Sequence, residues 1–248
     1  MPTFKETVKT LLPPAVVKAI VIYRLRNRIK RYNRGLTTKE VFTKIYKEGF
    51  WGQSDDPADE YHSGSGSRDR IIVESYVNAV GQFLRSFETK PDVVDVGCGD
   101  FAIGSQVRPF CGDYVACDIV EPLIEFNKGR YTSLNVDFRV LDLTKDSLPQ
   151  GDVLFLRQVL QHLSNKQIKA ALPEISRKFK FLVLTEHLPA SESFRHNLDI
   201  PSGPMFRVPI NSGVVLTSPP FNLSVKEETV LCQRAEHGGI IKTILYRL

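Results

Sequence analysis

Between residues 70 and 85 the apolar side chains recur at the spacing of one helical face. Ile71, Ile72, Tyr76, Val77, Val80, Phe83 and Leu84 predict a helix packed on a core. Beyond it the period changes. Short apolar runs at 93–96 (VVDV), 114–118 (YVACD), 137–141 (DFRVL), 152–156 (DVLFL) and 181–185 (FLVLT) alternate with helical stretches. Such alternation predicts crossover units and an α/β fold with a mostly parallel, doubly wound sheet. The chain closes on "EETVLCQRAEHGGIIKTILYRL", two strand-like runs around His237–Gly239. These predict a terminal antiparallel hairpin and bring the sheet to seven strands.

Upstream of residue 70 the pattern is different. "PPAVVKAIVIYRLRNRIKRYNRG" opens on a proline pair suited to a helix start. It carries Val16, Val17, Ile20, Val21 and Tyr23, and then Arg24, Arg26, Arg28, Lys30, Arg31 and Arg34. In residues 39–69 a helical start (Val41, Phe42, Ile45, Tyr46) breaks at Gly49. Trp51, the chain's one tryptophan, an acidic loop and "SGSGS" follow. The expected organisation is a basic N-terminal helical arm (1–38), a linker that doubles as a lid (39–69) and the main domain (70–248). The Ser/Gly stretch reads as a flexible linker placed where a substrate loop would sit.

Charge changes how the arm is read. The chain carries +5 overall, but residues 1–34 hold nine Lys/Arg against one acid, Glu6, a local charge of +8. The remaining 24 basic and 27 acidic residues sum to −3. The body therefore lacks the basic face of a nucleic-acid binder. Either the arm lies as a basic helix on an anionic membrane surface, or it packs on the body through its apolar residues. Cys98, Cys111, Cys117 and Cys232 show neither CxxC pairing nor zinc spacing, and read as reduced thiols of a cytoplasmic protein. No apolar run approaches the roughly 18–20 residues of a membrane span.

The chemistry is concentrated in "DVVDVGCGDFAIG", residues 92–104. A strand running into a glycine-rich turn suits a nucleotide-like cofactor. A phosphate loop needs GxxxxGK[ST], and no such Lys–Ser/Thr pair follows Gly104. The dinucleotide fingerprint GxGxxG also fails, because Gly97, Gly99 and Gly104 space as GxGxxxxG. Asp95, two residues before the first glycine, is a poor neighbour for pyrophosphate and a good one for a cationic cofactor. S-adenosylmethionine (SAM), with a sulfonium, an ammonium and no phosphate, fits that description.

"VVDVGCGDFAIG" resembles the first motif of the class I SAM-dependent methyltransferases, which have a Rossmann-like fold and a closing antiparallel strand pair. The downstream order agrees. Asp118 closes the next strand, 19 residues after Gly99, where that family keeps an acid for the ribose hydroxyls. Asp142 fits the acid that accepts the adenine amino group, and "GDVLFLRQVLQHLS" looks like the fourth strand and its loop. The resemblance spans roughly residues 70–248 and implies a cofactor set of Asp95, Gly97, Cys98, Gly99, Asp118, Ile119, Asp142, Leu143 and Arg157. Plain structural readings stand beside it: the glycines as a tight turn, Asp118 as a helix cap, Asp142 as a turn signal.

The methyl acceptor is less legible. "SPPF" at Ser218–Phe221 matches a nucleobase-amine motif but follows strand five, where it reads as a helix start. That placement argues against amine methylation of nucleobases. A hydroxyl acceptor needs a base, and bases belong at the carboxyl ends of the strands. His187, at the end of strand five beside Glu186, and His162, one turn past strand four, are the candidates, with Glu186 as an orienting partner or substrate contact. His62, His196 and His237 read as lid, rim and hairpin-turn residues. The polar insertion after strand five supplies Arg195, Asn197, Asp199 and Arg207 as acceptor contacts, with Trp51 from the lid. The loop after strand four holds Arg157, Gln158 and Gln161 and no acid, so no metal is expected.

"VFTKIYKEGFWG", "SGSGS" and "LRQVLQHLSNKQI" resemble a bacterial group of small-molecule methyltransferases associated with polysaccharide biosynthesis. That resemblance implies a sugar hydroxyl as acceptor and work at the inner membrane surface. Two other readings fit the same residues: an RNA or protein methyltransferase recruited by the basic arm, and a non-catalytic SAM-fold interaction protein.

Overall fold

The computed structural model describes residues 13–53, 60–191 and 193–248. The first twelve residues of the basic arm and the acidic loop at 54–59 lie outside the described residues. In chain order the helices are α1 (Pro14–Tyr32), α2 (Thr38–Lys47), α3 (Arg70–Arg85), α4 (Gly104–Val107), α5 (Glu121–Arg130) and α6 (Asn165–Lys178). The main-sheet strands are β1 (Val93–Val96), β2 (Tyr114–Asp118), β3 (Asp137–Val140), β4 (Val153–Arg157) and β5 (Phe181–Pro189). A two-residue pair, β6 (Arg195–His196) and β7 (Ser212–Gly213), precedes the final β8 (Glu227–Glu236) and β9 (Gly239–Arg247).

The seven-stranded sheet runs β3-β2-β1-β4-β5-β9-β8. Pairings from β3 through β5 are parallel, and β9 is antiparallel to both β5 and β8. β1 and β4 are apolar almost throughout because both faces of the sheet are covered. Alternate residues feed two cores. On one face Val94, Leu154 and Leu182 meet Val41, Phe42 and Ile45 of α2 and Ile168, Leu172 and Ile175 of α6. On the other, Val93, Val153 and Val183 meet Tyr76, Val80 and Leu84 of α3.

Helix starts follow local chemistry. Thr37 and Glu40 form a capping box on α2, Ser164 and Gln167 another on α6, and Asp69 caps α3. Strand order reverses between β1 and β4, which places the crevice of the fold at their carboxyl ends.

Four local expectations change. β5 continues to Pro189 because β9 pairs with it over nine positions. Ile71 is exposed rather than buried on the α3 core face. Ser218–Phe221 starts no helix: it forms turns around a cis Pro219–Pro220 peptide. Residues 39–53 and 60–69 are not a detached linker, since α2 is part of the core and the Ser/Gly stretch is hydrogen-bonded in place, as described below. The arm packs on the body through Leu25 and Ile29 against Ile200 and Ile210, while Val16, Val21 and Tyr23 stay exposed.

Candidate active site

A cavity of about 330 Å³ opens at the carboxyl ends of β1, β2, β4 and β5. Its floor is the turn after β1. Gly97 and Gly99 hold φ of +77° and +57°, which favours glycine. A Cβ on Gly97 would stand 2.3 Å from Val159 Cγ2, and one on Gly99 2.5 Å from Ser63 Oγ. The turn is a cradle that side chains would fill. The Asp118 carboxylate accepts the Gly99 amide (3.1 Å) and the Val120 amide (3.0 Å). Burial pushes its pKa up to about 6 against the pull of those amides. Asp95, buried and bonded by Tyr114 Oη at 3.0 Å, is pushed to about 7 by desolvation. Asp142 is oriented by the Thr144 amide and hydroxyl and by Lys145. Of the expected cofactor residues, Asp95, Gly97, Cys98, Gly99, Asp118, Ile119, Asp142, Leu143 and Arg157 all line this cavity.

The Ser/Gly stretch forms one wall. Asp100 N–H donates to Ser63 Oγ (3.0 Å), Ser63 N–H to Asp100 Oδ2 (3.3 Å), and Arg68 to the same oxygen (2.9 Å). Arg157 donates to Gly66 O (2.5 Å), Ser67 Oγ (2.9 Å) and Gln158 Oε1 (3.2 Å). Its two terminal nitrogens thus fasten this wall, while its buried Nε has no partner among the described residues.

At the other end lie Trp51, His162, His187, Met205 and Phe206. The two histidines differ in what their ring nitrogens already do. The backbone amide of His187 donates to Gln161 Oε1 (3.0 Å), which turns the Gln161 side-chain amide nitrogen toward His162 Nε2 (3.1 Å). His162 Nε2 must therefore accept, and its Nδ1–H donates to Met205 O (3.3 Å). Both nitrogens are engaged, and burial lowers the pKa of His162 to about 4. Its ring rests on Trp51, centroids 5.0 Å apart. His187 Nε2–H donates to the Glu236 carbonyl (2.8 Å), and the ring stacks on Phe206 at 5.1 Å. Its Nδ1 lone pair has no partner among the described residues. Burial lowers its pKa, keeping the ring neutral.

Several expected residues are placed elsewhere. Glu186 points to the opposite face of β5 from His187 and does not line the cavity; it is buried beside the backbone of Leu160 and Gln161. It is not an orienting partner of His187. Arg207 is fully buried and donates to the carbonyls of Leu160, Gln161, Leu163 and Leu198 and to Asn165 Oδ1. Asn197 ties Val215 and Pro219. Asp199 accepts the Asn165 amide at the start of α6. Arg195 is exposed on β6. None of these four lines the cavity. Trp51 does, and so does His237, beside Glu236. His62 binds Trp51 O within the wall, and exposed His196 binds Ser218 Oγ.

Sequence reasoning missed Gln158, Gln161, Phe206 and Glu236 as site residues. Gln158 sits at φ +56°, a strained position at the end of β4. Glu236 is 49 residues from His187 and meets it only through the β5–β9 pairing and the hairpin turn. No local pattern signals that meeting. Among the described residues no group of three His, Cys, Asp or Glu is arranged to hold a metal ion.

Residues 93–180, from β1 to just past α6, match the sequence profile of a methyltransferase domain. The fold is that of the class I SAM-dependent methyltransferases. The chain superposes on the N-methyltransferase NodS from Bradyrhizobium japonicum WM9, solved with S-adenosyl-L-homocysteine (SAH), with a TM-score of 0.60 and 13% identity over 84% of this chain and 98% of that one. The N-terminal domain of EvdMO1, solved in the presence of SAH and D-fucose, gives 0.54 and 17% over 83% and 95%. Human N-acetylserotonin methyltransferase in complex with SAM gives 0.53 and 19% over 87% and 61%. No curated protein matches the sequence. The chain therefore has the class I fold, and its residues 93–180 match a methyltransferase domain.

Proposed function

We propose that this protein is a SAM-dependent O-methyltransferase acting on a hydroxyl of a sugar or similar polar small molecule in glycan assembly. One observation carries this reading. A single cavity joins the glycine cradle, Asp118 and Asp142 to a neutral histidine, His187, with an unclaimed lone pair. The cradle and its acids suit a cofactor without phosphate, since pyrophosphate would meet Asp95 and Asp118. Asp118 would hold the ribose hydroxyls and Asp142 the adenine amino group. Leu143 and Ile119 would flank the base. When bound, the cofactor supplies an electrophilic methyl group on a sulfonium.

The chain's own part is acid–base and positional. His187 Nδ1 takes the hydroxyl proton, and its Nε2–H···O bond to Glu236 stabilises the imidazolium that forms. His162, fixed through Gln161, holds Trp51 and so shapes the acceptor end. The Ser63–Ser67 wall acts as a lid that screens the cradle from water. The D-fucose in the EvdMO1 experiment supports a sugar acceptor by fold similarity. On α1, Arg24, Arg28 and Arg31 are exposed on the side away from Leu25 and Ile29. They favour contact with an anionic membrane surface, tested by co-sedimentation with phosphatidylglycerol vesicles at low and high salt. The enzymatic reading is tested by calorimetric titration with SAH, followed by labelled SAM and a panel of sugars and glycosides read by mass spectrometry. Absence of SAH binding would leave it without foundation.

A further inference from the structure

The charges on the cavity wall restrict the acceptor further, an inference that rests on the methyl-transfer reading. Among the described residues that line the cavity, Arg157 is the one Lys or Arg side chain. Its two terminal nitrogens already donate to Gly66 O, Ser67 Oγ and Gln158 Oε1, and its Nε is buried. Arg195 and Arg207, the cations a sequence reading would assign to an anionic acceptor, are absent from the wall. Among the described residues at the acceptor end, the wall carries one carboxylate, that of Glu236, whose charge is felt at His187. Its side chain is 12% exposed, and its neighbours are the Ser65 hydroxyl (2.7 Å) and the surface imidazole of His237 (3.2 Å). Neither is a permanent cation. The other polar groups there, Gln161, His162 and His187, are neutral, and Trp51 and Phe206 supply apolar faces.

We infer that the acceptor enters this cavity without phosphate or carboxylate: a free or glycosidically linked sugar or polyol, and not a sugar phosphate or a nucleotide-linked sugar. Glu236 is the residue that enforces the choice. A phosphate brought to ~6 Å from a carboxylate that no Lys or Arg of the described wall offsets, at the effective dielectric of a partly buried site, loses about 100-fold in affinity. The neutral hydroxyls of a sugar meet no such repulsion, and they find hydrogen-bond acceptors in His187 Nδ1 and Glu236.

Trp51, the chain's single tryptophan, lines the acceptor end and reports on it directly by fluorescence. The full-length protein, saturated with SAH, is titrated with glucose 6-phosphate and with UDP-glucose. The expected result is no saturable change in Trp51 emission up to millimolar probe. Glu236→Lys should then give a saturable change with both probes, at least tenfold tighter than wild type, while Glu236→Gln gives a smaller gain and guards against a folding defect in the first variant. Saturable sub-millimolar binding of either probe to the wild type would overturn the inference. Unchanged anion binding in both folded variants would remove Glu236 from the role. Failure to bind SAH in the preceding calorimetry would instead strike the methyl-transfer reading itself.

Discussion

His187 and Glu236 are joined across the β5–β9–β8 corner: the imidazole Nε2–H donates to the Glu236 carbonyl at 2.8 Å. A carbonyl only accepts, so this bond fixes the tautomer and leaves the lone pair on Nδ1. A Cβ on Gly239 would approach His187 Nε2 to 2.6 Å, so the hairpin packs against that edge of the ring. The Nδ1 edge is turned away from it.

Replacing His187 should therefore separate chemistry from cofactor binding. His187→Gln is expected to lower methyl transfer about 10²- to 10⁴-fold, with SAH affinity by calorimetry within about twofold of wild type. His162→Gln should behave differently. Both ring nitrogens of His162 are committed, so its loss is expected to lower the melting temperature and raise the acceptor KM, with a smaller effect on kcat. Equal losses of kcat in the two variants would contradict the assignment of His187 as base.

Cofactor binding should depend on pH through Asp118. Burial raises its pKa from 3.8 to about 6. In the proposed site, ribose hydroxyls would donate to the ionised carboxylate, so SAH affinity is expected to be full above pH ~7. It should fall about tenfold per pH unit once pH drops below about 6. Asp118→Asn should bind more weakly at pH 8 and lose most of this slope, leaving the contribution of Asp95, which ionises near 7. Calorimetric titrations at pH 5.5, 6.5 and 8 distinguish the two.

Glu186 makes a stability prediction of opposite character. Its folded pKa is raised from 4.5 to about 8, chiefly by burial, with Arg207 opposing. The folded state thus holds its proton where the unfolded chain has released it. By linkage, this group makes stability fall as pH rises from about 4.5 to about 8. Glu186→Gln keeps the shape without the ionisation. Its melting temperature should exceed that of wild type at pH 8 and match it near pH 4, as read by differential scanning calorimetry.

Arg207 should act through the fold. Its guanidinium satisfies four carbonyls and Asn165 from a fully buried position. Arg207→Met leaves those acceptors unpaired and is expected to cost about 3–5 kcal/mol, seen as a large drop in the denaturation midpoint. An acceptor-binding role would instead raise KM in a protein of normal stability.

Much of the fold was legible in the chain. The period-2 and continuous apolar runs located all five parallel strands, since strands buried on both faces must be apolar throughout. The glycine turn and the acids Asp95, Asp118 and Asp142 were legible too, because backbone turns and strand ends are set locally. Glu186 was misplaced for a simple reason: adjacent residues on a strand point to opposite faces. Arg207, Asn197 and Asp199 looked like surface polar residues of a loop. The loop's own carbonyls and the α6 start needed donors and acceptors, and these side chains supplied them.

By itself the sequence determined the order of elements, the cofactor cradle and the absence of a phosphate-binding turn, because each depends on residues close together in the chain. Among the described residues, tertiary structure alone decided which histidine keeps a free lone pair, which arginine faces the cavity and where the acceptor-end carboxylate lies. Those properties depend on hydrogen bonds between segments 26 to 91 residues apart. Whether a polar side chain serves the site or the scaffold is settled by which partners reach it first.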